Sequence, residues 1–244
     1  EGETVLRNAA LEPEIPSLAE FLNSSGARII GAGTPTIRIQ GGGLLTATSP
    51  YKTPPDRIEA GSFIILAALA GERVTITDCI PEHFEALLEL LSYSGVSISR
   101  EKNSITISSN KTVFKSVNVK THEYPGFPTD LQAPLVVYLT QTEGESLVFE
   151  TIFEERLHYV ETLRRMGADI RTLDSHRVIV KGPTILRGRN VESPDLRAGL
   201  AFVIAGILAE GESVVENAYN IDRGYERIEE RLREIGVSIK RVSK

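Results

Sequence analysis

One alternation of apolar and polar positions recurs four times along the chain. It opens at Gly2-Glu-Thr-Val, Gly71-Glu-Arg-Val, Gly144-Glu-Ser-Leu and Gly211-Glu-Ser-Val, spaced 69, 73 and 67 residues apart. Each opening leads into a β-rich stretch: Val5–Asn8, Val74–Thr77, Leu147–Glu150 and Val214–Asn217. An amphipathic helix pattern follows, with apolar residues three and four apart. Its stripes are Leu18, Phe21 and Leu22; Phe84, Leu87, Leu88 and Leu91; Val160, Leu163 and Met166; and Ile228, Leu232 and Ile235. Each helix stops at a glycine (Gly26, Gly95, Gly167, Gly236), the residue best suited to the left-handed turn at a helix end. A short strand is predicted after each of these glycines. In the first three units a second strand follows, at Thr36–Ile39, Ser104–Ile107 and Arg177–Val180.

Before three of the openings lies a second, more apolar helix: Ile58–Ala70, Leu131–Thr142 and Leu196–Glu210. An Asp precedes or abuts each one (Asp56, Asp130, Asp195), in the position of an N-cap. The module is thus apolar helix, strand, amphipathic helix, strands. A period near 70 residues exceeds that of a typical solenoid and predicts a few large α/β modules, apolar helices inside and sheets outside.

The phase of the repeat predicts domain organisation. The first module has no apolar helix before it, and the last has one closing strand with no hairpin after it. The expectation is a chain cut at its start, whose final sheet takes strands from elsewhere. Gly41–Gly43 and Ser49-Pro-Tyr-Lys-Thr-Pro-Pro form the clearest Gly/Pro-rich stretch. Residues 1–40 are therefore read as the last module of one domain, 41–55 as a crossover, and 56–244 as a second domain of three modules, the last incomplete.

Composition narrows the functional classes. The 244 residues carry 27 basic and 33 acidic side chains, a net charge of −6, which argues against a nucleic-acid binder. Hydrophobic content of 41% and charged content of 25% are those of a globular chain. The most apolar run, Ala198–Ala209, falls short of the roughly 20 residues of a membrane span. Glu1-Gly-Glu-Thr has neither the basic start nor the apolar run of a signal peptide. A single Cys, Cys79, excludes an internal disulfide framework and reads as a small buried hydrophobe. The four histidines have no metal-ligand spacing.

Two groups of residues could carry chemistry. Pro125-Gly-Phe-Pro-Thr-Asp130-Leu-Gln-Ala is a stiff loop that could hold Asp130 still at a helix start; the plainer reading is an N-cap, shared with Asp56 and Asp195. Arg57, Arg156, Arg197, Arg223 and Arg227 lie near predicted helix starts, where a cation opposes the helix dipole. Guanidiniums converging on a cleft would hold phosphate or carboxylate in a two-point grip; the plainer reading is solvated surface.

Four strings in order, Pro125-Gly-Phe-Pro-Thr-Asp-Leu-Gln-Ala, Thr151-Ile-Phe-Glu-Glu-Arg, Asp195-Leu-Arg-Ala and Asp222-Arg-Gly-Tyr-Glu-Arg-Ile-Glu, make the chain resemble the UDP-N-acetylglucosamine 1-carboxyvinyltransferase family of enolpyruvyl transferases. The resemblance runs along essentially all 244 residues. It implies an inside-out α/β fold in two domains with substrates between them, the first domain only partly present here. The family's early Lys-Asn pair and its mobile loop with a catalytic Cys and an Arg have no match; Cys79 does not fill that place.

The resemblance also implies a cytoplasmic enzyme of peptidoglycan synthesis and thus of cell-wall biogenesis, cell shape and division. The enolpyruvyl group of phosphoenolpyruvate would pass to the 3′-hydroxyl of UDP-N-acetylglucosamine without a metal or cofactor. Asp130 resembles the base that takes the hydroxyl proton, Asp195 the carboxylate at the reacting carbon, and Arg223 a phosphoenolpyruvate-binding arginine. Ile152 matches a UDP-sugar contact. Arg156 and Arg197 match arginines of the anionic pocket, and Arg57 a further cleft arginine. Other partners implied are the missing N-terminal part of the same enzyme, with no nucleic acid and no membrane. Residues 1–244 alone are expected to be nearly inactive. Two alternatives remain: a sugar-nucleotide binder without chemistry, and a transferase like the shikimate-pathway sister, 5-enolpyruvylshikimate-3-phosphate synthase.

Overall fold

The computed structural model describes residues 1–108 and 113–242. Three modules share one topology. The first holds β1 (Glu3–Arg7), α1 (Glu14–Ser24), β2 (Arg28–Ile30) and β3 (Thr36–Gln40), with strand order β1-β3-β2. After α2 (Arg57–Ala70), the second holds β4 (Arg73–Thr77), α3 (Glu85–Ser94), β5 (Ser97–Glu101) and β6 (Ser104–Ser108), ordered β4-β6-β5. The third has β7 (Val119–Lys120), α4 (Gln132–Leu139), β8 (Gly144–Phe149), α5 (Val160–Arg165), β9 (Asp169–Thr172) and β10 (Arg177–Gly182), ordered β7-β8-β10-β9. In each, the last strand pairs antiparallel with both its neighbours, and in the third β7 adds on parallel beside β8. Glycines in the left-handed conformation follow all four amphipathic helices, with φ of +104° at Gly26, +107° at Gly95, +109° at Gly167 and +95° at Gly236.

The final part has β11 (Asn190–Glu192), α6 (Leu196–Leu208), β12 (Val214–Glu216), α7 (Tyr219–Asp222) and α8 (Ile228–Glu234), with β11 and β12 parallel. The strand predicted after Gly236 is not there: residues 237–242 are irregular. A strand exists through its ladder, and this segment is instead drawn to α7 and α8, where Arg241 donates to Asp222 and Glu229.

The three apolar helices form the centre. Helices α2, α4 and α6 contact one another pairwise, and all eight residues of α4 are buried. A helix apolar all round must be enclosed, and the sheets enclose these three. Strand faces alternate accordingly: Ile105 and Ile107 of β6 are buried opposite Ile76 and Val74 of β4. Cys79 is part of this core, and burial raises its thiol pKa above the ordinary value.

Asp56 and Asp195 are N-caps. Asp56 Oδ1 accepts from the amides of Ile58 and Glu59, at 2.7 and 3.0 Å, and Asp195 Oδ1 from those of Arg197 and Ala198, at 2.7 and 2.9 Å. Asp130 is not an N-cap. It lies inside a 3-10 turn, Thr129–Leu131, that precedes α4, and its carboxylate bonds to side chains instead. Close packing fixes this turn against α2: a Cβ on Gly61 would lie 2.6 Å from Leu131 Cδ1.

Candidate functional site

Asp130 is half-buried at the start of α4, with a guanidinium on each oxygen. Arg156 Nη2 donates to Oδ1 at 2.9 Å, and Arg197 Nη2 donates to Oδ2 at 2.8 Å. Arg156 comes from the turn region 151–159 ahead of α5, and Arg197 from the first turn of α6. Three separate segments thus converge on one carboxylate. The side chains of Asp130, Arg156 and Arg197 are 33%, 22% and 15% exposed, so the cluster is reachable yet shielded from bulk water.

Each arginine has an aromatic support. The Arg156 guanidinium lies 4.9 Å from the ring centre of exposed Phe153, and that of Arg197 lies 5.9 Å from the ring of Tyr225. Arg197 Nη1 also donates to the Tyr225 hydroxyl at 3.4 Å, and that hydroxyl is 3.1 Å from Ser62 Oγ of α2. Burial works against the Arg197 cation, but Asp130 and Tyr225 outweigh it, so its pKa lies above the ordinary value. Its Nε is buried without a hydrogen-bond partner among the described residues. A guanidinium fixed in place and partly exposed is suited to receive an oxyanion.

The other residues singled out from the sequence lie around this cluster. Asp195 is exposed and caps the helix that carries Arg197. Ile152 is half-buried, and its amide donates to Glu150 Oε1 at 2.8 Å. Arg223 follows α7 and is exposed, its side chain without a hydrogen bond or ion pair to another described residue. Its neighbour Gly224 packs against the site: a Cβ there would lie 3.6 Å from Arg197 Nη1. Arg227, in a left-handed conformation at φ +48°, is exposed and pairs with Glu230.

Arg57 is separate from the cluster. It is buried at the start of α2, donates from Nε to Glu14 Oε1 of α1 at 2.8 Å, and lies over the Tyr124 ring at 5.7 Å. Its partner lies in the first module, so it bridges residues 1–40 to the rest. Tyr51 does likewise, donating to Glu20 at 3.0 Å and packing on Phe21. A cavity of about 100 Å³ beside Arg57 is lined by His83, Tyr124, Pro125, Pro128 and Leu131. It flanks the loop before Asp130 and does not include the ionic cluster. Burial lowers the His83 pKa, with Arg57 adding to the effect, which favours the neutral ring.

Sequence reasoning missed Tyr225, Gln132, Tyr159 and Glu150. Tyr225 stands inside the string Asp222-Arg-Gly-Tyr-Glu, a cue that was present. Gln132 and Tyr159 are buried and bonded to each other, Tyr159 donating to Gln132 Oε1 at 2.6 Å. Glu150 reads as the end of a strand and carries no cue of its own. Among the described residues, no group of three or more His, Cys, Asp or Glu could hold a metal ion, and no helix is long and apolar enough to cross a membrane.

The family model for EPSP synthase (3-phosphoshikimate 1-carboxyvinyltransferase) matches residues 1–232. The UDP-N-acetylglucosamine 1-carboxyvinyltransferase of Solibacter usitatus is 46% identical over 99% of the chain, and that of Halothermothrix orenii is 47% identical over 99%. The chain spans 57% of the length of each. Among solved structures, the enolpyruvyl transferase NikO from Streptomyces tendae superposes with a TM-score of 0.88 at 25% identity, over 98% of this chain and 57% of that one. EPSP synthase from Acinetobacter baumannii superposes with a TM-score of 0.74 at 20% identity, over all of this chain and 58% of that one, a likeness of fold.

Proposed function

The chain belongs to the EPSP synthase (3-phosphoshikimate 1-carboxyvinyltransferase) family, and from that premise we propose that it is the Asp130-bearing part of a UDP-N-acetylglucosamine 1-carboxyvinyltransferase. The observation that carries the reading is the Asp130 carboxylate held between Arg156 and Arg197. A base for a hydroxyl and cations for an anionic co-substrate stand there within one hydrogen-bond length. The identity of 46–47% to transferases of that name favours the UDP-sugar as acceptor.

In this reading, phosphoenolpyruvate gains a proton at its methylene carbon, leaving a cation-like centre at C2. The sugar 3′-hydroxyl adds to C2, and its proton passes to Asp130. Loss of a proton from the methyl carbon and departure of inorganic phosphate then restore the double bond. Arg156, Arg197 and Arg223 hold the carboxylate and phosphate oxygens, and Asp195 stabilises the centre at C2. Ile152 touches the UDP-sugar, and Arg57 acts at the cleft margin by tying α1 to α2. Residues 1–40 would belong to one domain and 56–244 to the other. The crossover 41–55 would bend as the domains close over substrate. The product would enter peptidoglycan synthesis in the cytoplasm.

The test is release of inorganic phosphate from phosphoenolpyruvate in the presence of UDP-N-acetylglucosamine, by the whole protein. We expect release with the UDP-sugar and at least a 100-fold loss of kcat in Asp130→Asn. Release with shikimate 3-phosphate instead would move the chain to the sister reaction. Binding of UDP-sugar with no release would leave a sugar-nucleotide binder.

A further inference from the structure

Glu150, the residue after β8, is fully buried, yet among the described residues it forms no ion pair. Five donors surround its carboxylate. Oε1 accepts from Thr121 Oγ1 at 3.0 Å and from the amides of Ile152 and Phe153 at 2.8 and 3.1 Å. Oε2 accepts from Thr129 Oγ1 at 2.9 Å and Gln132 Nε2 at 3.0 Å. A buried carboxylate is tolerated when its lone pairs are filled in this way.

The donors are not a random set. Thr129 and Gln132 bracket Asp130 along the chain, one residue before it and two after. Ile152 and Phe153 begin the turn region that delivers Arg156. Gln132 is held in turn by the Tyr159 hydroxyl, three residues after Arg156. Tyr159 keeps its proton for that bond, since burial and then the nearby Glu150 charge raise its pKa well above the ordinary value. Thr121 adds a third strut: its Oγ1 accepts from the Thr151 amide at 2.9 Å, and Thr151 Oγ1 donates to the Thr121 carbonyl at 2.6 Å.

We propose that Glu150 is a positioning residue: its two oxygens lock the Asp130 turn and the Ile152–Arg156 segment into one frame and so set the spacing between the base and its arginine. The proposal rests on the transferase reading for its kinetic consequence, but not for its structural one. Glutamine does not reproduce the carboxylate, which only accepts. The amides of Ile152 and Phe153 can only donate, and the Gln132 amide is turned by Tyr159 so that its NH2 group faces Glu150. An introduced NH2 on the Oε1 side meets two backbone donors, and on the Oε2 side it meets the Gln132 NH2 unless Gln132 turns over and reverses its bond with Tyr159.

The experiment is the Glu150→Gln variant of the whole protein, with its crystal structure and its kinetics per folded molecule, the folded fraction taken from a thermal melt. We expect the Asp130–Arg156 contact, 2.9 Å in the parent, to open past the roughly 4 Å limit of an ion pair. We expect kcat to fall about 100-fold, the effect of a misplacement near 1 Å. A role in stability alone would lower the melting temperature and leave kcat per folded molecule unchanged. An intact contact with kcat within about threefold of the parent overturns the proposal. If the parent itself releases no phosphate, the transferase reading has failed, and the crystal structure alone decides on Glu150. If Glu150→Gln does not fold, Thr129→Val removes one strut only. It should shift the Asp130 turn and lower kcat less, and a parent-like turn and rate in that variant overturn the proposal.

Discussion

Asp130 and Arg197 lie 67 residues apart in the chain and meet at 2.8 Å through Oδ2 and Nη2. With Arg156 on Oδ1, the carboxylate's two oxygens are both engaged by cations that the proposed reaction assigns to phosphoenolpyruvate. In that proposal, an anionic substrate arriving at these arginines would compete with Asp130 for them. In the proposed reaction its binding would free the oxygen that accepts the hydroxyl proton. Arg197→Lys keeps the charge but loses the fork that spans Asp130 and Tyr225. We expect the KM for phosphoenolpyruvate to rise about 10- to 100-fold, roughly 1.4–2.7 kcal/mol of binding, measured by steady-state phosphate release. An unchanged KM would separate Arg197 from the anion.

Gly61 sits where α2 passes the turn that holds Asp130. The Cβ of Gly61→Ala would press on Leu131 at 2.6 Å. Overpacking of this kind costs about 1–3 kcal/mol, despite alanine's better helix propensity. Urea unfolding should show a lower midpoint at constant slope.

Asp56→Ala should behave as loss of a helix cap. Two amides, those of Ile58 and Glu59, lose their acceptor. The expected cost is about 1 kcal/mol by denaturant unfolding. Turnover per folded molecule should stay within about twofold, because among the described residues the Asp56 side chain bonds only to amides of its own helix.

The segment 237–242 should loosen in acid. Arg241 donates to Asp222 at 2.8 and 2.6 Å and to Glu229 at 3.0 Å. The hydrogen bond from Arg241 lowers the Asp222 pKa; at Glu229 burial opposes, but the same arginine prevails and the pKa is again lowered. For carboxyls depressed in the folded state, the stabilisation is present above the unfolded values, near 4, and is lost as pH falls through the folded ones. Methyl resonances of Ile239 and Val242 should therefore move below about pH 4, and Arg241→Met should abolish that transition.

Much of the architecture is legible in the sequence because its causes are local. The glycine after each amphipathic helix, the apolar character of α2, α4 and α6, and the Gly-Glu openings each depend on a few neighbouring residues. The role of Asp130 is not local in that sense. It shares a repeat position with Asp56 and Asp195, and spacing alone makes it a third cap. What releases it is a 3-10 turn anchored by Glu150, twenty residues downstream, and no periodicity signals that bond. The strand predicted after Gly236 failed for a related reason, since strand propensity is realised only beside a partner, and side-chain bonds to α7 and α8 took the segment instead. Arg57 illustrates a third limit: a charge at a helix start looks the same in sequence whether it faces a cleft or a carboxylate from another module.

The sheets of the three modules are stitched by hairpins that close within one module, whereas the Asp130 cluster draws on α6, the α4 turn and the segment before α5 at once. Backbone order and chemical competence therefore have different thresholds. A small shift of the first turn of α6 would leave every hairpin paired while parting Arg197 from the carboxylate. Under rising denaturant, catalysis should disappear ahead of the far-ultraviolet signal.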